Sequence, residues 1–276
     1  MIGVTGATGR IGGAVVGQLH AAGVPLRLVV RSPARAPRLE GVGAKAASYG
    51  DVPALLDALD SVDVLLMVSA TESADRVALH KATVDAAVAA GVRRIVYVSF
   101  LGAAPDATFT FARDHWHTEQ HIRASDVEFT FLRDNLYLDL ILEWVGDDGV
   151  IRGPAGSGRV GAVARADVAA SAAAVLTGEG HQGKTYDLTG PQSLSLAAIA
   201  ATLSAAWERP VRYRAETLDE AYRSRERYGA PAWEVAGWVT SYAAIAAGEL
   251  DVVTDAVEQL TGRPATSLQQ YLAASR

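Results

Sequence analysis

A chain of 276 residues, half of them apolar, is large enough for one α/β domain with a smaller lobe appended. A net charge of −6 without a basic run argues against a nucleic-acid partner, and the absence of cysteine removes disulfides, thiol nucleophiles and thiolate metal sites. Arg165 and Asp167 interrupt the alanine-rich segment 160–176, no apolar run reaches about eighteen residues, and no charged leader precedes the first strand, so a cytoplasmic protein without a membrane span is expected.

The first apolar strand, Ile2–Thr5, runs into Thr5–Gly12, which reads TGATGRIG. Ile11, Ala14, Val15 and Leu19 then recur at helical spacing. Strand, glycine turn and helix N-terminus in this order form a site for a dinucleotide pyrophosphate. Gly6 permits the tight turn, Gly9 lets backbone approach phosphate, and Gly12 allows close helix–strand packing. The next strand, Leu26–Val30, ends at Arg31, where a site for NAD would usually carry an acidic side chain. An arginine there favours a 2′-phosphate, which its planar fork can hold, and so favours NADPH. Arg10, inside the turn, could reinforce that choice; Arg35 reads as a solvated surface charge.

Further along, 44–48 reads as a weak third strand, and Asp51 with Pro53 opens a helix through Leu59. Val62–Ser69 is nearly continuous apolar sequence, as a strand buried on both faces requires. A helix over 74–90, with Val77, Val84 and Val88 on it, ends at Gly91. Arg94–Ser99 is the fifth strand, 112–124 a helix, Glu128–Leu132 the sixth strand, 166–177 a helix and Tyr186–Thr189 one more strand. This alternation predicts an α/β fold with a doubly wound parallel sheet of Rossmann type. From 193 onward the pattern reads as helices, including 195–206, 217–228 and 249–260, separated by Pro210, Pro231 and Pro264. The expected organisation is an NADP-binding domain over 1–132, rejoined by 159–190, and a mainly helical substrate-binding lobe over 133–158 and 191–276.

Several segments together carry a resemblance: TGATGRIG, VVRSP (29–33), AGVRRIVYVS (90–99), HWHTE (115–119), TFLRDNLY (130–137), SGRVGAVARADVA (157–169) and EGHQGKTYDLTG (179–190). The chain resembles the atypical short-chain dehydrogenases of the NmrA-like group, and within it the type 2 NAD(P)H:quinone oxidoreductases and triphenylmethane-dye reductases. The resemblance implies a Rossmann domain, NADPH and a cleft for a flat aromatic or quinone acceptor. It implies that Gly6, Thr8, Gly9, Arg10, Ile11, Gly12 and Arg31 bind cofactor, with Ser69 beside its ribose. Two positions depart from the pattern. Ser48 stands where many relatives carry Asp, and Asp134 where close relatives carry Asn; Asn135, one place later, is a candidate replacement in the substrate pocket.

Ordinary short-chain dehydrogenases pair Tyr with Lys four residues on, so that the phenol can exchange a proton with an alcohol. His115 and Glu119 take that spacing here. Hydride addition to a quinone or a cationic dye does not need a positioned acid, whereas reversible alcohol oxidation does. The sequence therefore points to an NADPH-dependent reduction of a planar conjugated acceptor, with a non-catalytic NADP(H)-binding redox sensor as the alternative. A sugar-nucleotide epimerase is disfavoured by the missing pair. His115 could donate a proton, or it and Glu119 could merely bond to each other or to solvent. Tyr137 is the alternative donor, and Ser99 could polarise an oxygen. Phe100, Asn135 and Tyr137 are the pocket-lining candidates. His117 and His121, with Asp114 or Glu119, have helical spacing for a metal but lack a third ligand elsewhere, so no metal is expected. A homodimer is a possible assembly.

Overall fold

The computed structural model describes residues 1–274; Ser275 and Arg276, the end of the expected lobe, lie outside the described residues. Its first half alternates strand and helix: β1 (Ile2–Thr5), α1 (Arg10–Ala21), β2 (Leu26–Val30), β3 (Gly43–Ala46), α2 (Val52–Leu59), β4 (Val64–Val68), α3 (Arg76–Ala89), β5 (Arg94–Phe100), α4 (Thr110–Ala124) and β6 (Glu128–Asp134). After these come α5 (Leu138–Glu143), β7 (Val150–Gly153), β8 (Arg159–Val160), α6 (Arg165–Thr177), β9 (Lys184–Leu188) and β10 (Leu194–Ser195). The chain ends with α7 (Leu196–Trp207), β11 (Arg212–Ala215), α8 (Leu218–Arg225), α9 (Ala232–Ala246), α10 (Ala256–Thr261) and α11 (Leu268–Ala274).

Seven strands form one sheet in the order β3-β2-β1-β4-β5-β6-β9. The pairings of β1 with β2 and β4, of β2 with β3, and of β4 with β5 are all parallel. The order reverses beside β1, the switch point at which open α/β sheets bind ligands. β5 is buried along its whole length, as a central strand covered on both faces must be. Leu55 of α2, Val84 and Ala87 of α3 and Ile122 of α4 share one core with Leu65, Ile95 and Tyr97. α1 packs on α6. The expected α/β Rossmann architecture is present.

Contacts divide the chain into two compact units: Met1–Phe100 with Asp114–Arg133 and Arg165–Tyr186, and Leu101–Arg113 with Asp134–Ala164 and Asp187–Arg276. Segment 101–113 thus clusters with the second unit, although its sequence position lies inside the 1–132 span.

One expectation is corrected. The helix placed over 249–260 is only Ala256–Thr261. Residues before it bond to other segments instead of forming helix: the Gly161 amide donates to the Leu250 carbonyl at 3.0 Å and the Thr254 amide to the Thr189 hydroxyl at 2.9 Å. The long helix of this region is instead Ala232–Ala246, where two tryptophans and Gly237 weaken the helical signal. Gly237 is required by packing, since a Cβ there would lie 2.2 Å from the Phe111 ring. The expected helix over 74–90 is present as α3, and its buried face is partly polar. Val88 is 37% exposed, whereas Arg76, His80 and Thr83 are buried with Val84 and Ala87. His80 and Thr83 find hydrogen-bond partners there, and Arg76 lies 3.8 Å from the Asp114 carboxylate.

Candidate active site

The glycine turn has the geometry its sequence demands. Gly6 sits at φ +62°, and its carbonyl accepts the Gly9 amide at 2.8 Å. A Cβ on Gly12 would lie 2.3 Å from the Gly6 carbonyl oxygen, so only glycine lets α1 approach β1 this closely. Gly9 caps α1 without a side-chain hydrogen bond, and no acidic residue occupies the first turn. The first turn therefore carries the positive end of the helix dipole with no acidic side chain of its own beside it. That arrangement fits a pyrophosphate. Thr8, Gly9 and Arg10 are exposed around it, while Ile11 is buried and anchors the helix.

Thr5, at the end of β1, holds the switch point together. Its hydroxyl oxygen receives the Val68 amide at 3.0 Å and lies 2.7 Å from the Tyr49 phenol, which also bonds the Val68 carbonyl. Arg31 follows β2 and is exposed, with no ion pair among the described residues. Ser69, directly after β4, is half-buried, and Ser48 is exposed.

Behind this edge, the first unit holds a row of rings that sequence reasoning did not assemble. Tyr49, His80, Tyr97, His115 and Phe100 follow one another with centroids 5.7, 5.8, 5.7 and 6.1 Å apart. Tyr97 and Ser99, alternate residues of β5, meet α4: the Tyr97 hydroxyl lies 3.0 Å from His115 Nδ1, and Ser99 donates to Glu119 at 2.6 Å. His80 Nε2 accepts the Ala70 amide at 2.9 Å, and its Nδ1 lies 2.9 Å from Thr118 Oγ1. Burial, helped by the charge of Arg76, pushes His80 down to about 3. The same causes, burial first, hold His115 well below the ordinary histidine range. Burial also drives the Tyr97 phenol upward, out of reach of proton exchange near neutrality. Arg76 was missed because one arginine at a helix start reads as surface; His80 and Thr83, four and seven residues on, were the signal that a polar face turns inward.

The sequence candidates separate accordingly. His115 and Glu119 do not bond to each other. Glu119 is wholly buried and takes Arg133 Nε at 2.8 Å and Nη2 at 2.6 Å together with Ser99. Ser99 is therefore committed inside the protein rather than presented to a substrate. His117 is exposed, and His121 Nε2 faces Asp85 at 2.7 Å. In the second unit, Asn135 is fully buried: its amide nitrogen donates to the Leu250 carbonyl at 3.1 Å and its oxygen accepts the Leu136 amide at 2.8 Å. Both ends of that side chain are spent on backbone. Tyr137, half-buried, donates to Asp134 Oδ2 at 2.6 Å, so the acid at 134 has a hydroxyl to hold.

Residues 6–179 match the family described as NAD(P)H-binding, which covers the turn, the switch point and the ring row together. The chain belongs to that family. It is similar to the NAD(P)H azoreductase of Xenophilus azovorans, 35% identical over 98% of this chain and 96% of that one. Quinone oxidoreductase 2 of Escherichia coli is 37% identical over 80% of this chain and 79% of its own length. The crystal structure of that NADPH-dependent enzyme complexed with NADPH matches at a TM-score of 0.93, with 32% identity over 100% of this chain and 99% of that one. Triphenylmethane reductase of Citrobacter sp. complexed with NADP(H) matches at 0.88, again with 32% identity and the same coverage. This family member is an NAD(P)H-dependent oxidoreductase of the atypical short-chain dehydrogenase group. None of its described helices is long and apolar enough to cross a membrane.

Proposed function

We propose that this oxidoreductase uses NADPH to reduce a quinone or a similarly planar, conjugated small molecule. One observation carries the reading: at the spacing where alcohol-oxidising relatives keep a tyrosine and a lysine, this chain keeps a neutral imidazole and a carboxylate already paired with Arg133. Burial makes the imidazole a weak base, and the carboxylate is already engaged, so neither matches the tuned base an alcohol requires. A quinone carries its own electron sink and can take its proton from water after hydride arrives, so the absence of a positioned acid costs it little.

The first amides of α1, with Thr8, Gly9 and Arg10, would hold the pyrophosphate, Ser69 the ribose, and exposed Arg31 the 2′-phosphate. Bound there, the cofactor supplies two electrons and a hydrogen as hydride. His115 and Phe100 are the first unit's candidates for meeting the acceptor, and Tyr137 is the alternative hydroxyl. Asn135 and Ser99 drop out, since their polar atoms are occupied. The names of similar proteins, an azoreductase, a quinone oxidoreductase and a triphenylmethane reductase, share conjugated acceptors, which supports the same class.

The test is steady-state NADPH oxidation with 1,4-naphthoquinone, an azo dye and a cationic triphenylmethane dye, against NADP⁺ with secondary alcohols. Turnover with one or more conjugated acceptors and none with alcohols is expected. Tight NADPH binding without turnover on any acceptor would instead favour a redox sensor.

A further inference from the structure

The buried ring row fixes proton positions as well as packing. The Ala70 amide can only donate, so His80 Nε2 must be its acceptor. A neutral His80 then carries its proton on Nδ1 and donates it to Thr118 Oγ1 at 2.9 Å. Thr118 spends its own hydroxyl hydrogen on the Asp114 carbonyl at 2.8 Å. Tyr97 thus finds no acceptor at His80, 3.5 Å away, because that nitrogen is already a donor. Two acceptors remain for its phenol hydrogen: Thr118 Oγ1, which already receives His80, and His115 Nδ1 at 3.0 Å, whose lone pair has no other donor among the described residues. With the phenol hydrogen on the His115 side, Nδ1 accepts and Nε2 carries the hydrogen.

His115 Nε2 has no protein partner among the described residues, yet it is not among the buried polar atoms left unpaired, as two nitrogens of Arg76 are. The 6% of His115 that remains accessible therefore includes this nitrogen. Phe100 packs beside the same ring at the end of β5.

We propose that Tyr97 is a positioning residue that locks His115 as its Nε2–H tautomer, so that His115 serves the acceptor as a neutral hydrogen-bond donor rather than as an acid. This rests on the reductase reading above and deepens it. When hydride reduces a quinone, one oxygen becomes an anion. That oxygen accepts the Nε2–H hydrogen bond, the ring keeps its proton, and water supplies the proton that completes the hydroquinone as NADP⁺ leaves. The donor is preset by a backbone amide acting through His80, Thr118 and Tyr97, so nothing need reorganise when charge develops. An acceptor oxygen or azo nitrogen that turns electron-rich would be recognised; a cationic dye that becomes neutral on reduction would gain nothing from it.

Two measurements decide the proposal. Nitrogen-15 NMR of the His115 ring should show Nε2 protonated and Nδ1 bare in the wild-type protein, and Tyr97→Phe should release Nδ1 and give a mixture. Kinetically, Tyr97→Phe and His115→Leu should each lower kcat with 1,4-naphthoquinone about tenfold, the worth of one hydrogen bond. The double variant should be no worse, His115→Gln should recover most of the loss through its amide N–H, and the loss with the quinone should exceed the loss with a triphenylmethane dye in each variant. A wild-type ring protonated on Nδ1, or equal losses with quinone and dye, overturns it. A wild-type protein that binds NADPH and reduces no acceptor sinks the functional reading separately, since the ring spectrum then stands alone as the test of the hydrogen-bond chain. Unchanged far-UV circular dichroism and thermal midpoint establish that each variant is folded.

Discussion

Glu119 and Arg133 meet in a two-pronged contact, with guanidinium nitrogens 2.8 and 2.6 Å from the two carboxylate oxygens and Glu119 entirely shielded from water. The pair ties α4 to β6, and Ser99 extends it to β5. Removing one member of a buried pair leaves the other charge unpaid in a poor dielectric, which costs about 3–5 kcal/mol. Glu119→Ala should lower stability by that amount in urea unfolding. Because an apolar replacement of both partners is often neutral, Glu119→Leu with Arg133→Met should recover most of the loss. A single variant as stable as the parent would mean that the pair is not formed in solution.

Two glycines of α1 should respond in opposite directions. At Gly12 a methyl would press on the Gly6 carbonyl at 2.3 Å, which is backbone and cannot swing aside. Gly12→Ala should cost about 1–3 kcal/mol of stability and weaken NADPH binding more than tenfold, because the turn itself must open. At Gly17 nothing lies within 4 Å of the added methyl, and the residue is an ordinary helical position. Gly17→Ala should stabilise by about 0.5–1 kcal/mol with cofactor affinity unchanged. Thermal unfolding and NADPH fluorescence titration of the two proteins read both effects.

The contrast between these glycines and the ring row explains what could be read from sequence. The turn, β1 and β2 were legible because their geometry is local: the residues that make them are neighbours in the chain. The same holds for β5, whose run of apolar residues announces burial on two faces. The partners of Ser99, Glu119 and Asn135 were not legible, because Glu119 answers to Arg133 and Asn135 to Leu250, and neither spacing has a period. Arg76 and His80 were missed for a related reason. A helix that turns polar residues inward looks amphipathic the wrong way round until Thr118 and Tyr97 arrive from other elements. In α9, the burial of Gly237 against Phe111 overrides a composition that argues weakly for helix.

Arg31 has a sharp thermodynamic signature. Its exposed guanidinium would reach the 2′-phosphate that distinguishes NADPH from NADH, and a charged hydrogen bond of this type is worth about 1.5–3 kcal/mol. Arg31→Ala should weaken NADPH binding about tenfold or more in calorimetry and leave NADH nearly unaffected. Equal losses for both cofactors would assign Arg31 to general electrostatics rather than to the phosphate.

Acid should destabilise this protein through histidines that cannot be charged where they stand. His80 is pushed from 6.5 down to about 3, and His115 is held well below 6.5, both chiefly by burial. In the unfolded chain both rings bind a proton near pH 6.5, so between that value and about 3 the unfolded state carries more protons than the folded one. Stability therefore rises with pH across this window and is lost as pH falls through it; above the unfolded value the two states bind equally and the effect vanishes. His80 alone contributes a slope of about 1.4 kcal/mol per pH unit well inside the window. Urea midpoints should accordingly stay level from pH 7.5 to 8.5 and drop between pH 6 and 5. His80→Asn should flatten the drop by the share of one histidine, even though it also costs stability at neutral pH by disturbing Thr118. A profile for His80→Asn parallel to the parent would place the acid sensitivity elsewhere. Turnover with a quinone should show no ionisation near pH 6.5, because a ring that stays neutral in the folded protein has no charge to lose there.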